Sequence, residues 1–222
     1  DALAQMRLWQ LISPALPVGA YAYSSGLEAA IEKGHVCNAQ QAEAWISDIL
    51  LHGLCHLDVP VFKRLYQAIL DHDDEQLLYW NRYLLASRES AELLQEDRHL
   101  GTALKRLLPE LDIALPEVLQ SEQHVSFASQ FACACVAWQI PIPDAAQGLM
   151  WSWCENQVAA AIKLIPLGQT AGQQVMLSLQ QHIPDWAEQA LKREDHEMGL
   201  TLPGLAMLSA EHETQYSRLF RS

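Results

Sequence analysis

Lysine and arginine are scarce in this chain, 14 in 222 residues against 27 aspartates and glutamates, for a net charge of −13. An acidic surface of that balance repels a phosphate backbone, which excludes nucleic-acid binding and favours a partner with a basic face. Cysteine is sparse too: Cys37, Cys55, Cys133, Cys135 and Cys154 are an odd number without a framework spacing. Reduced thiols in a cytoplasm fit that usage, and no basic stretch leading into an apolar run opens the chain. A cytoplasmic protein is expected. The longest uncharged stretch, Val125 to Pro143, is interrupted by Ser126, Ser129, Gln130 and Gln139 and closes on Pro141 and Pro143. It reads as a buried helix, and no membrane span is expected.

Catalytic signatures are missing as well. His196-Glu197 and His212-Glu213 each begin a zincin pattern but lack its second histidine. Gly168-Gln169-Thr170-Ala171-Gly172 lacks the lysine and hydroxyl of a phosphate-binding loop, and reads as a helix break followed by close helix packing. Neither a Gly-x-Ser-x-Gly elbow nor a dinucleotide fingerprint occurs. The carboxylate pairs Asp73-Asp74 and Glu194-Asp195 lie in charged, solvated runs. No enzyme is expected.

Half of the residues are hydrophobic, and their spacing is helical almost throughout. From Ala42, the residues Trp45, Ile46, Ile49, Leu50, Gly53, Leu54 and Leu57 fall on one stripe. Asp58 is placed to cap a helix with Pro60 in its first turn, burying Phe62, Leu65, Tyr66 and Ile69. After an acidic break at Asp71 to Asp74, Leu77, Leu78, Tyr83 and Leu84 continue the pattern. A charged helix runs from about Arg88 to Leu108, where Pro109 should stop it, and Leu111 to Leu119 is a connection or short helix. Further helices are expected from Ser121 through Trp138, from Asp144 as cap through Trp151 and Trp153 to Ile165, from Thr170 to Gln181, and from Pro184 to Glu194. No alternating run flanked by hairpin turns requires a sheet. The expected architecture is all-α, one domain over 1–222 of about ten helices, with non-helical segments near both ends.

Four groups of residues could carry function. His52, Cys55 and His56, at i, i+3 and i+4 of one helix, could hold zinc or nickel, although they also suit the border of an apolar stripe. Cys133 and Cys135, two apart on a helix, point away from each other. The stretch Ser13-Pro14-Ala15-Leu16-Pro17-Val18-Gly19-Ala20-Tyr21-Ala22-Tyr23-Ser24-Ser25-Gly26-Leu27-Glu28 puts two tyrosines on a proline-stiffened loop before a helix that Ser24 or Ser25 can cap. Such a loop either packs its tyrosines locally or offers them to a partner. Lys163 stands alone in an apolar helix end that leads to Gln169, where a lysine either serves the negative helix terminus or faces a partner or polar passage. The last stretch, from His212-Glu213 through Tyr216, Ser217, Arg218, Leu219, Phe220, Arg221 and Ser222, carries residue types that anchor interfaces.

Three of these segments resemble the UreF family of urease accessory proteins: the Ser13 to Glu28 run, the Lys163 to Gln173 segment, and the His212-Glu213…Ser217-Arg218-Leu219-Phe220-Arg221-Ser222 end. They follow the family's order and spacing. The resemblance implies an all-α, non-enzymatic homodimer that joins the UreD-type (UreH) protein and the GTPase UreG. That complex delivers nickel to the urease apoprotein, acts as a chaperone of metallocentre assembly, and regulates the GTPase. It implies partner-binding segments at 12–26 and 200–222, with Tyr21, Tyr23, Glu28, Lys163, Gln169, Tyr216, Arg218, Phe220 and Arg221 as partner-binding residues. No cofactor is expected on this chain itself, since nickel and GTP belong to the wider complex. The alternative is a helical metal-binding enzyme or nickel shuttle built on His52, Cys55 and His56.

Overall fold

A computed structural model describes residues 1–199 and 201–222, and its regular elements among those residues are all helical. Twelve α-helices follow in order: α1 (Ala2–Ile12), α2 (Leu27–Glu32), α3 (Ala39–Ile49), α4 (Asp58–Leu70), α5 (Asp74–Ala86), α6 (Ala91–Glu110), α7 (Glu117–Ser121), α8 (Phe127–Ala137), α9 (Ile142–Leu164), α10 (Gly168–Leu179), α11 (Ile183–Leu191) and α12 (Pro203–His212). The all-α expectation holds. Two helices go beyond it, α1 and α12. The first is capped by Asp1, whose side chain accepts the Leu3 N–H, and buries only Ala4, Leu8 and Leu11. The second shows almost no amphipathic contrast, so no stripe marks it.

The 23-residue α9 is the spine. At about 1.5 Å per residue it is roughly 35 Å long. It packs against α1, α10 and α11, while α4 packs on α5 and α8, and α6 lies on α8. One apolar cluster joins α4, α5, α6 and α8 around Phe62 and Phe131, whose rings lie 5.8 Å apart. A second gathers Ile46, Leu50, Met150, Cys154 and Val175 between α3, α9 and α10. A third, smaller cluster sets Leu27, Ala30, Ala160, Ala161 and Ile165 around Phe220.

Several helix starts differ from the sequence reading. Asp58 does not cap α4. Its carboxylate instead meets Arg88 at 2.6 Å, and Arg88 also meets Asp97 at 2.8 Å. Pro109 does not stop α6, which is capped by Ser90 and runs one residue past the proline. The helix expected from Ser121 begins only at Phe127, as α8, while α7 ends at Ser121 and overlaps the stretch read as a connection or short helix; buried Asn81 holds the link between them, its amide donating to His124 O at 3.0 Å and its oxygen accepting Ser126 N–H at 2.8 Å. Ser126 then caps α8. Asp144 sits within the first turn of α9 and Pro141 takes the cap position. The glycine reading at 168–172 holds: Gly168 has φ +75°, and a Cβ on Gly172 would come within 2.3 Å of Ile162.

Candidate functional site

Residues 13–26 form a loop whose course the backbone dictates. Gly19 turns in the left-handed region at φ +79°, a single helical turn carries Ala20 to Ala22, and Gly26 turns again at φ +87°. Neither Ser24 nor Ser25 holds the cap position of α2, yet Ser24 Oγ accepts the Glu28 N–H at 3.2 Å and does the capping work from two residues further back. The loop is pinned to α9 by Asn156, which donates to Tyr23 O at 2.9 Å, and by Gln157, which donates to Ser24 O at 2.8 Å.

The terminal segment 213–222 lies on that loop. Arg221 N–H donates to Ala22 O at 2.8 Å, Ser24 N–H and Oγ both donate to Ser222 O, and Ser25 N–H donates to Ser222 Oγ at 3.2 Å. Ser222 Oγ and Ser25 Oγ each donate to Glu96 at 2.8 Å. Burial pushes the Glu96 carboxyl up to about 7 against those two hydroxyl donors and the Arg88 charge, which oppose the shift. Glu28, buried on α2, accepts Leu219 N–H at 2.5 Å, Phe220 N–H at 3.0 Å, and a bond from His212 Nε2 at 2.7 Å. Arg218 reaches Glu92 at 2.8 Å. Loop, α2, α6, α12 and tail are thereby one composite surface.

The residues singled out in the sequence divide by exposure. Tyr21 is 70% exposed, Tyr216 is fully exposed, and Leu219 beside it is 65% exposed. Lys163, Gln169, Arg218 and Arg221 also reach solvent. Tyr23, Glu28 and Phe220 do not. Tyr23 hydrogen-bonds His99 Nδ1 at 2.6 Å, Glu28 binds the tail backbone, and Phe220 fills the third apolar cluster. These three shape the surface from within, because their partners are in the chain itself. Lys163 ties its segment to the tail, with its ammonium 5.8 Å from the Phe220 ring centre. A cavity of about 640 Å³ runs beneath the loop and touches Tyr21, Ser25, Glu96, Glu155, Lys163 and Gln169. Burial raises the Glu155 carboxyl as well.

The metal reading gains nothing from the geometry. The chain widens into a π-helical turn at Leu50–Leu54, with Cys55 N–H donating to Leu50 O at 2.9 Å, so the α-helical spacing assumed for His52, Cys55 and His56 does not hold. Cys55 turns into the core, where burial pushes its thiol up to about 12. His56 Nδ1 is engaged by Leu51 O at 2.8 Å, and burial lowers its basicity. Among the described residues no group of three or more His, Cys, Asp or Glu side chains could hold a metal ion. Nor, among the described residues, is any helix long and apolar enough to cross a membrane.

Glu92 and Glu96 were not anticipated as parts of the site, and His212, though inside the terminal stretch singled out, was given no role of its own there. A signal for the two glutamates was present: they stand four residues apart on α6, a like-charge pair that repels unless a donor settles on it.

Fold and surface together define an all-α protein whose two terminal regions are assembled into a single exposed face. Comparison with known sequences is specific about the family. A profile described as UreF matches residues 36–180. The urease accessory protein UreF of Alkalilimnicola ehrlichii is 49% identical over 220 residues, covering 99% of this chain and 96% of the relative. Those of Hahella chejuensis and Teredinibacter turnerae are 45% and 47% identical, each pair matched over at least 98% of both chains. The chain belongs to the UreF family of urease accessory proteins, which are not enzymes.

Proposed function

We propose that this chain is a scaffold for nickel insertion into the urease apoprotein, binding the UreD-type (UreH) protein and the GTPase UreG and regulating the latter. Its composite face of Tyr21, Tyr216, Arg218 and Leu219 meets the UreD-type protein. The observation that supports this reading is that exposed aromatic, arginine and leucine side chains stand on a frame immobilised by buried hydrogen bonds. Such anchors lose little conformational freedom on binding. The work is done as a homodimer in the cytoplasm, and nickel and GTP are handled by the wider complex.

Co-purification tests it. Tagged wild-type chain should retain the UreD-type protein and, through that complex, UreG; Arg218→Ala should lose most of the UreD-type protein, and urease from cells carrying that variant should hold little nickel. Retention of both partners at wild-type levels by the Arg218→Ala chain would refute the assignment of the face.

A further inference from the structure

We infer that His212 is the positioning residue of this face, acting on the tail backbone through one carboxylate and on Arg218 through another. The histidine ends α12 and is wholly buried. Its Nε2 lies 2.7 Å from Glu28 Oε2 and its Nδ1 lies 2.7 Å from Glu92 Oε2. Each ring nitrogen thus faces an oxygen of a different carboxylate, and the imidazole bridges the two. The two carboxylates it fixes have separate duties. Glu28 receives the N–H groups of Leu219 and Phe220, which sets the course of the tail. Glu92 uses its other oxygen, Oε1, for Arg218 Nη1 at 2.8 Å, which sets the direction of the guanidinium.

Burial explains why the arrangement needs the ring. Glu28 and Glu92 both meet His212, and Glu92 also meets Arg218, in a place where neither carboxylate is more than about a tenth exposed. Removing the imidazole leaves two poorly solvated carboxylates without the ring that bridges them, and each must find another partner or water. One turn earlier on α12, Ser209 Oγ meets Ser90 Oγ at 2.7 Å, so the helix that carries the histidine is itself held to the start of α6. His212 never reaches the surface; its effect on a partner passes through Arg218 and the tail.

This inference rests on the proposed face, and its test separates the two. Affinity for the purified UreD-type protein and amide exchange at Leu219 and Phe220 are measured on the full-length chain. His212→Ala should weaken binding tenfold or more and speed exchange at both amides by at least tenfold. Adding Arg218→Ala to His212→Ala should cost less than a further twofold, since the arginine is already misdirected, whereas adding Tyr21→Ala should multiply the loss. If His212→Ala loses helicity, His212→Gln and Glu92→Gln take its place, Glu92→Gln being expected to match Arg218→Ala in binding. Wild-type exchange in the histidine variant, or a double variant whose losses multiply, would overturn the inference while leaving the face intact. If Arg218→Ala and Tyr21→Ala both bind normally, the face is wrong, and exchange alone then decides the role of His212.

Discussion

Lys163 and Phe220 meet across the end of α9, the ammonium 5.8 Å from the ring centre and the ring itself buried among Leu27, Ala30, Ala160 and Ile165. The lysine is at the surface and completes the negative end of the helix; the ring holds the tail down. Their contributions are unequal. An exposed cation–π contact is worth about 0.5–1 kcal/mol, whereas truncating a buried phenylalanine costs about 3–5 kcal/mol. Phe220→Ala should therefore release the tail, raising amide exchange at residues 219–222, while Lys163→Ala changes exchange there only slightly. Equal effects from the two variants would show that the ring is not the anchor.

Glu96 gives the fastening a pH dependence of definite sign. Its carboxyl rises from an ordinary 4.5 to about 7 in the folded chain because burial disfavours the charged form. Between those values the folded state binds more protons than the unfolded state, so this group contributes stability below pH 4.5 that is lost as pH rises through 7. The upper limit is about 3 kcal/mol, and opening of the side chain to the cavity reduces it. Melting temperature should fall from pH 5 to pH 7.5 in the wild type, and the slope should be shallower in Glu96→Gln, whose amide keeps an acceptor oxygen for one of the two hydroxyls, Ser25 or Ser222, and can donate to the other. A slope unchanged by that substitution would assign the dependence to other groups.

Where α6 crosses the entry to α8, only a glycine fits. A Cβ on Gly101 would stand 2.1 Å from Val125 O and 2.7 Å from the Ser126 carbonyl carbon, and both obstacles are backbone. Alanine favours a helix over glycine by roughly 1 kcal/mol, but separating two packed segments costs more. Gly101→Ala should lower stability by about 2 kcal/mol or more in chemical denaturation. Gly204→Ala, with open space around its Cβ, should be neutral or stabilising. If Gly101→Ala is as stable as the wild type, the crossing is looser than its geometry indicates.

What was readable in the sequence follows from what periodicity can carry. The stripe from Trp45 to Ile49 and the buried faces of α4 and α9 are local patterns, and they announced helices correctly. Boundaries set by distant partners were not readable. Asp58 looks like a cap until Arg88 is brought beside it, and the Ser121 helix looks continuous until Asn81 takes its backbone groups. At the site, the segments were legible but the roles within them were not. Tyr21 and Tyr23 are equivalent in sequence; a turn at Ala20–Ala22 sends one out to solvent and the other in to His99. The π-helical turn at Leu50–Leu54 likewise undid a spacing argument that assumed a regular helix.

Tyr21 offers the cleanest separation of binding from folding. Its ring is 70% exposed on a loop that Pro14 and Pro17 stiffen and that Asn156 and Gln157 fasten from below through Tyr23 and Ser24, not through Tyr21. Removing the ring therefore deletes contact area without touching the frame, and exposed substitutions of this kind shift stability by no more than about 0.5 kcal/mol. A tyrosine at the centre of an interface commonly contributes about 2 kcal/mol or more on truncation, equivalent to over tenfold in affinity. Tyr21→Ala should keep the helical circular dichroism and melting temperature of the wild type while binding the UreD-type protein at least tenfold more weakly. Tyr23→Phe, which removes only the hydroxyl bonded to His99, should do the reverse: a loss of stability of about 1 kcal/mol with binding reduced only in proportion. The idea fails if Tyr21→Ala unfolds the chain, or if its affinity is that of the wild type.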